Sequence, residues 1–160
     1  MRPGPDGSGR FRSSKRPSRF CQPGAISAMT ETALLLTALL FGGAVLYSFG
    51  FAAFVFSALP ADLAGSLLRR AFPHFYLFVL GASAAGGALA AFADSISAAV
   101  LAAIAGTTLV ARQILMPAIN SARDGGRTDR FRLFHSLSVM ITLAHIAGAA
   151  VALVRLAALT

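Results

Sequence analysis

The sequence predicts an all-α integral membrane protein, a bundle of four transmembrane helices with a short interfacial helix between the first and the second. Of its 160 residues, 56% are hydrophobic and only 12% are charged, whereas soluble domains average about 45–50% and about 25%. The charged residues cluster and leave four long apolar intervals between the clusters. About 20 helical residues cross a hydrocarbon core about 30 Å thick. Each interval therefore predicts one transmembrane span.

The N-terminal residues 1 to 28 form a basic tail rich in Arg, Ser, Pro and Gly. Because it has few apolar side chains to bury, this tail is predicted to be disordered. Its Arg and Ser content also fits a transit peptide. A third interpretation starts translation at Met29, directly before the first span. Residues 29 to 160 are predicted to form a single transmembrane domain.

The first two spans are delimited by prolines. The first, residues 33 to 59, is predicted to end before Pro60, which has no amide hydrogen to donate inside a helix. Asp62 to Arg70 follow as the interfacial helix, in which leucines accompany an aspartate and two arginines. The second span, residues 73 to 92, is predicted to open at Pro73, because proline is favoured in a first helical turn.

The last two spans follow a tight hairpin. The third is predicted over residues 96 to 120, and Pro117 should kink its last turn. Its apolar run is interrupted only by Arg112. The fourth is predicted over residues 130 to 159, with Thr128 as the N-cap.

The helices should meet through small residues, since lipid tails are as apolar as leucine and offer no reason for helices to associate by excluding water. The second span is the richest in them. Its small-xxx-small pairs are Gly81/Ala85, Ala82/Gly86 and Ser83/Gly87.

The net charge of +8 does not predict a nucleic-acid partner, because no aromatic residues alternate with the basic ones along a binding face. Anionic lipid headgroups explain the charge. Six arginines lie in the first and third loops: Arg69, Arg70, Arg123, Arg127, Arg130 and Arg132. The positive-inside rule places these loops in the cytoplasm, with a bacterial inner (plasma) membrane as the expected location. The basic tail opposes this topology unless the chain starts at Met29.

Polar residues gather at the end of the bundle that carries loops one and three. They are His74 and Tyr76 on the second helix, Arg112, Asn120, Arg123 and Asp124 on or after the third, and His135 on the fourth. This is the preferred candidate binding site. Arg112 either extends to the headgroups or points inward, where it would pair with Asp124 or bind an anionic group.

The fourth helix carries a polar seam of His135, Ser138, Thr142 and His145, which share one side at 3-4-3 spacing. His145 lies near mid-bilayer, where we expect it to be neutral and hydrogen-bonded to a hydroxyl group. Hydroxyl residues of the other helices fall at the same depth and predict one polar layer. Its members are Tyr47, Ser48, Ser83, Thr107, Thr108, Thr142 and His145.

Three segments resemble a known family. They are Phe72-Pro73-His74-Phe75-Tyr76, Met116-Pro117-Ala118-Ile119-Asn120 with Asp124, and Phe134-His135-Ser136-Leu137-Ser138-Val139. In their order and spacing they resemble the bacterial family called domain of unknown function 4149, which is similar to the transmembrane protein 205 group of eukaryotes. The resemblance implies a four-helix membrane domain whose recurrent polar positions map onto Tyr76, Asn120, Asp124, His135 and Ser138.

Three functions stay open from the sequence. The first is a non-enzymatic membrane protein that binds or transports a small solute or lipid between its helices, with no cofactor or metal. The second is a membrane oxidoreductase or haem-binding subunit that uses His74, His135 or His145. The third is a structural component of a larger complex. The lipid bilayer is the expected partner in each case, and a second copy of the chain or another membrane protein is a further candidate.

Overall fold

The computed structural model describes residues 23–160, and this part of the chain folds into four long helices, named α1 to α4 here. Two of them contain a π-helical turn. Helix α1 consists of Pro23–Val45, the π turn Leu46–Phe51 and Ala52–Ala58; α2 is Ala61–Ala90; α3 consists of Ser95–Val110, the π turn Ala111–Leu115 and Met116–Asp124; and α4 is Thr128–Ala157.

All four helices are long and apolar enough to cross a membrane. The spans are Gly24–Ala58, Ala61–Ala90, Ser95–Asp124 and Thr128–Ala157. Residues 23–160 contain no strand. The predicted all-α bundle of four transmembrane helices is therefore confirmed.

Helix α1 begins at Pro23, so residues 23–28, which the sequence assigned to the tail, are helical. The rest of the predicted disordered tail lies outside the described residues. The helix ends where predicted. Leu59 adopts the extended backbone conformation (φ −128°, ψ 148°) that a following proline such as Pro60 imposes on its neighbour.

Helix α2 runs through both segments that the sequence separated. The short interfacial helix is not a separate element, since its residues form the first turns of α2, and Pro73 lies inside the helix rather than at its start. Proline deprives the carbonyl group of Arg69 of its helical partner. Buried residues nevertheless continue on both sides, from Leu68 to Phe75, and this uninterrupted packing holds the helix together.

The starts of α3 and α4 differ in their capping. Asp94 caps α3 as expected for a hairpin residue, and its carboxylate accepts a hydrogen bond from the Ser97 amide at 3.0 Å. Thr128 does not cap α4. It is already helical. Arg127 is the N-cap residue, because its carbonyl oxygen accepts the first helical hydrogen bond, from the Phe131 amide. The Arg127 side chain makes no capping hydrogen bond.

The core consists of small and aliphatic side chains from all four helices. Leu40, Leu101 and Leu156 are its largest fully buried members. Two of the three predicted small-residue pairs of α2 face it, Ala82/Gly86 and Ser83/Gly87, whereas the third, Gly81/Ala85, is exposed. A Cβ atom at Gly87 would lie 3.2 Å from the Cβ atom of Leu101, so glycine lets α2 and α3 approach closely.

Candidate functional site

A cleft of about 540 Å³ opens between α1 and α4 at the end of the bundle that carries the first and third loops. This volume lies within the range of about 300–1,000 Å³ that small-molecule sites occupy. All four helices contribute to its walls. The lining residues are Tyr47, Ser48, Phe49, Ala52, Phe56, Gly65, Leu68, Arg69, Phe72, Phe75, Tyr76, Met116, Ile119, Asn120, Arg123, Phe131, His135, Ser138, Val139, Thr142 and Leu143.

The cleft lies where α1 packs against fewer helices than it does in its first part. Its first part, Pro23–Val45, packs against both α2 and α4, but Ala52–Ala58 packs mainly against α2. The π turn Leu46–Phe51 lies between them. A π turn inserts one extra residue into a helix and is frequent at functional sites. The cleft begins at this turn, since Tyr47 is its first lining residue on α1.

Aromatic rings form the inner wall of the cleft. Tyr47 and Phe75 stack with centroids 4.1 Å apart and planes 7° apart, and Phe72 meets the Tyr47 ring edge-on at 5.7 Å. Tyr76 continues the wall toward α4. Packing of this kind stabilises aromatic pairs beyond their burial alone. The wall offers an apolar ligand a surface that is already formed.

The mouth of the cleft carries positive charge. Arg69 forms a two-pronged ion pair with Asp124, at 2.9 and 3.2 Å. Arg123 lies beside it, against Gly65, where an added Cβ atom would come within 2.5 Å of its Nη2 atom. No aspartate or glutamate of the described residues lines the cleft. Its polar end therefore combines two guanidinium groups with neutral or basic side chains only.

The structure brings most of the predicted site residues to this cleft. Tyr76, Asn120, His135 and Ser138 line it, and the Tyr76 and Ser138 hydroxyl oxygens are 3.3 Å apart. His135 stacks on Phe131 at the mouth, with centroids 5.6 Å apart. Asp124 is not a lining residue, but its carboxylate holds Arg69 in place.

Arg112 does not line the cleft, and the pairing with Asp124, one of the interpretations left open for it, is not found. The two residues lie twelve positions apart on α3, which is about 18 Å at the helical rise, beyond the reach of one side chain. Asp124 pairs with Arg69 of α2 instead. Arg112 belongs to the π turn of α3, where its Nε atom is buried and has no hydrogen-bond partner in the part of the chain that the structure describes.

His145 lies deeper in the bundle than the cleft. Its Nε2 atom is 2.7 Å from the Thr107 hydroxyl oxygen, so the predicted hydrogen bond to a hydroxyl group is present. Thr107 also donates to the Ala103 carbonyl oxygen at 2.6 Å. Since a hydroxyl group has one proton to donate, His145 must donate through Nε2. A small cavity of about 10 Å³ lies beside His145 and Thr142.

The predicted polar layer does not form as a connected network. The Ser83 and Thr142 hydroxyl groups donate to carbonyl oxygens of their own helices. The Tyr47 and Thr108 hydroxyl oxygens have no partner among residues 23–160. Within the same range, only the contact between His145 and Thr107 links two helices at this depth.

The three histidines are not brought to a common cavity. His135 lines the cleft, His145 lines the small cavity, and His74 is exposed with its Nδ1 atom 3.2 Å from the Arg70 carbonyl oxygen. Within residues 23–160, no group of three or more His, Cys, Asp and Glu side chains is placed to hold a metal ion. The structure therefore places no two of these histidines in one cavity, where they could together ligate a haem iron.

The sequence placed Arg123 in the candidate site but missed the role of Arg69. Arg69 entered only as a topology signal, and it is the residue that pairs with Asp124. An ion pair at the opposite end of the bundle was also missed: Asp94 accepts from Arg155 at 2.8 Å through both of its oxygens. The one available signal was charge balance, because an aspartate and an arginine are each nearly alone at that end.

These observations define an integral membrane protein of four helices with an aromatic cleft at its arginine-rich end. The chain matches the family described as Domain of unknown function (DUF4149) over residues 35–128, more than half its length, and it belongs to that family. The resemblance seen in the sequence is confirmed to this extent. Neither the curated proteins nor the solved structures contain a significant match.

Proposed function

We propose that the protein binds a lipid-like amphiphile in the cleft between α1 and α4, as a non-enzymatic binding, transport or accessory protein of the membrane. The observation that supports this function is the composition of the cleft. Its inner wall is aromatic and aliphatic, while the arginines lie together at its mouth. An amphiphile has the same division between an apolar and a polar end.

The position of the cleft supports a ligand drawn from the bilayer. Its walls include α1 and α4, and apolar side chains of both helices are exposed, among them Phe49 of α1 at 58% and Val139 of α4 at 43%. A lipid tail would therefore pass between these helices without crossing a polar surface.

The orientation and membrane of residence form part of the same proposal. Six arginines at the end with the first and third loops, against Arg155 at the other end, support a cytoplasmic location for the cleft mouth in a bacterial inner membrane.

We also propose the kinship with the transmembrane protein 205 group on the sequence motifs described above. The haem-binding alternative predicts a Soret absorbance band that is lost in His135→Ala.

Tyrosine fluorescence provides a direct test of occupancy. The chain has no tryptophan and only two tyrosines, and both, Tyr47 and Tyr76, line the cleft. The full chain, purified in dodecyl maltoside, should therefore lose tyrosine fluorescence when phosphatidylcholine with brominated acyl chains is added, because bromine quenches a fluorophore that it contacts.

Two adjacent alanines give a matched pair of variants. Ala52 lines the cleft, whereas its neighbour Ala53 is exposed and does not. Ala52→Phe should fill the cleft and reduce the quenching severalfold, and Ala53→Phe should leave it unchanged. Equal quenching of both variants and the wild-type protein would show that the bromine atoms reach the tyrosines from outside the cleft, and the proposal would fail.

A further inference from the structure

The two arginines at the cleft mouth differ in how their charge is balanced. The guanidinium group of Arg69 is held by both oxygens of Asp124. Arg123 makes no ion pair or side-chain hydrogen bond with any residue of the described range 23–160. A planar guanidinium group presents a fork of donors that matches the oxygens of a phosphate or carboxylate group. Arg123 therefore has its donors available to a ligand.

Arg123 is exposed, but its guanidinium group contacts α2. The edge formed by its two Nη atoms lies against Gly65, where a Cβ atom would be 2.5 Å from Nη2, 2.9 Å from Nη1 and 3.1 Å from Cζ. Only glycine leaves this space. Gly65 is itself buried and lines the cleft, so the packing places the charge of Arg123 at the cleft wall.

The surrounding charges favour an anion. Six arginines stand at this end of the bundle against three aspartates, Asp62, Asp124 and Asp129, and none of these aspartates lines the cleft. A cationic headgroup would meet an excess of like charge there. A phosphate or carboxylate group would meet Arg123 directly and the wider field of the arginines around it.

We infer that the occupant of the cleft is an anionic lipid, whose acidic headgroup is bound by Arg123 over Gly65 while its acyl chain lies along the aromatic wall. This inference rests on the proposed function, which requires an amphiphile but not a charge. It adds the chemical class of the headgroup and names the residue that selects it.

The test compares two headgroups in the fluorescence assay. With brominated phosphatidic acid, the concentration that quenches tyrosine fluorescence by half should be about tenfold lower than with brominated phosphatidylcholine, as expected of a charge-assisted hydrogen bond that is partly exposed to solvent. Arg123→Gln should remove most of this preference. Arg130→Gln, which removes an exposed arginine outside the cleft, should retain it.

A second variant separates the position of the charge from its presence. Gly65→Ala keeps every charge but places a methyl group where the Arg123 guanidinium lies, so it should also weaken the preference for phosphatidic acid. Gly81→Ala, on the same helix and facing open space, is its control. Circular dichroism of each variant establishes that it is folded.

The outcomes are distinct. Equal affinity for the two lipids, or a preference lost equally in Arg123→Gln and Arg130→Gln, would overturn the headgroup assignment while leaving the proposed function intact. Quenching that is insensitive to Ala52→Phe would overturn both. Displacement of phosphatidic acid by millimolar inorganic phosphate at constant ionic strength would identify a free anion rather than a lipid as the ligand, and would also overturn the inference.

Discussion

At the scale of single residues, the effect of a polar side chain near the membrane centre on stability depends on whether its polar atom has a hydrogen-bond partner. Thr107 and Thr108 are adjacent on α3 but differ in this respect. The Thr107 hydroxyl group contacts His145 of α4, whereas the Thr108 hydroxyl oxygen is buried and has no partner within residues 23–160. The same substitution at these two neighbouring threonines should therefore have opposite effects on the stability of the protein.

Replacing each threonine by valine tests this difference. Thr107→Val should lower the free energy of unfolding by about 0.6 kcal/mol and at most about 1.7 kcal/mol, the range measured for hydrogen bonds between membrane helices. Thr108→Val should be neutral or stabilising, because it removes a buried group that is not hydrogen-bonded. Unfolding titrations in mixed detergent micelles measure both. A larger loss for Thr108→Val would contradict the assignment.

Sequence reasoning identified most of the polar residues that line the cleft but not how they pair. Tyr76, Asn120, His135 and Ser138 were found because polar residues in an apolar chain are conspicuous. The ion pair between Arg69 and Asp124 joins residues 55 positions apart. Which arginine reaches the carboxylate depends on the rotation and height of α2 against α3, and a single sequence does not contain that information.

At the scale of helices, the sequence located the spans well and their irregularities poorly. Charge-free intervals mark the membrane crossings because the cost of placing charges in hydrocarbon is large. The predicted helix start at Pro73 was wrong. Proline is favoured in a first helical turn, but here the residues on both sides of Pro73 pack in the bundle and α2 continues through it. The π turn Leu46–Phe51, at which the cleft begins, has no signature in composition or periodicity.

The glycines of α2 give a prediction about helix contact. Gly87→Leu should destabilise the bundle by about 1–3 kcal/mol, the usual cost of overpacking, because its Cβ atom would lie 3.2 Å from Leu101. Gly81→Leu faces open space and should cost little. Thermal melting in detergent compares them directly. Similar melting temperatures for the two variants would mean that α2 and α3 are not in close contact at Gly87.

At the scale of the whole molecule, the two ends of the bundle are built differently. The arginine-rich end is open at the cleft, whereas the opposite end is joined by the ion pair of Asp94 with Arg155, which ties the hairpin between α2 and α3 to the C-terminal part of α4. The hydrogen bonds from Arg155 first, and then from Ser97, hold the pKa of Asp94 well below its ordinary value of 3.8.

This ion pair predicts a dependence of stability on pH. Because the pKa of Asp94 is lower in the folded protein than in the unfolded one, the ionised carboxylate stabilises the fold fully above about pH 3.8 and loses this effect as the pH falls toward the lower, folded value. Asp94→Asn should therefore melt below the wild-type protein at neutral pH. The difference in melting temperature between the two proteins should become smaller below pH 3.8. A difference that stays constant from pH 7 to pH 2.5 would show that the ionised Asp94 carboxylate is not its cause.

The closed end has a consequence for how any occupant reaches the interior. A molecule that enters between α1 and α4 meets a bundle whose far side is fastened by a salt bridge and filled by Leu101, Leu156 and their neighbours. A lipid that binds as proposed would therefore enter from the leaflet at the arginine-rich end. For it to reach the opposite leaflet through the bundle, we expect that the ion pair of Asp94 with Arg155 would first have to break.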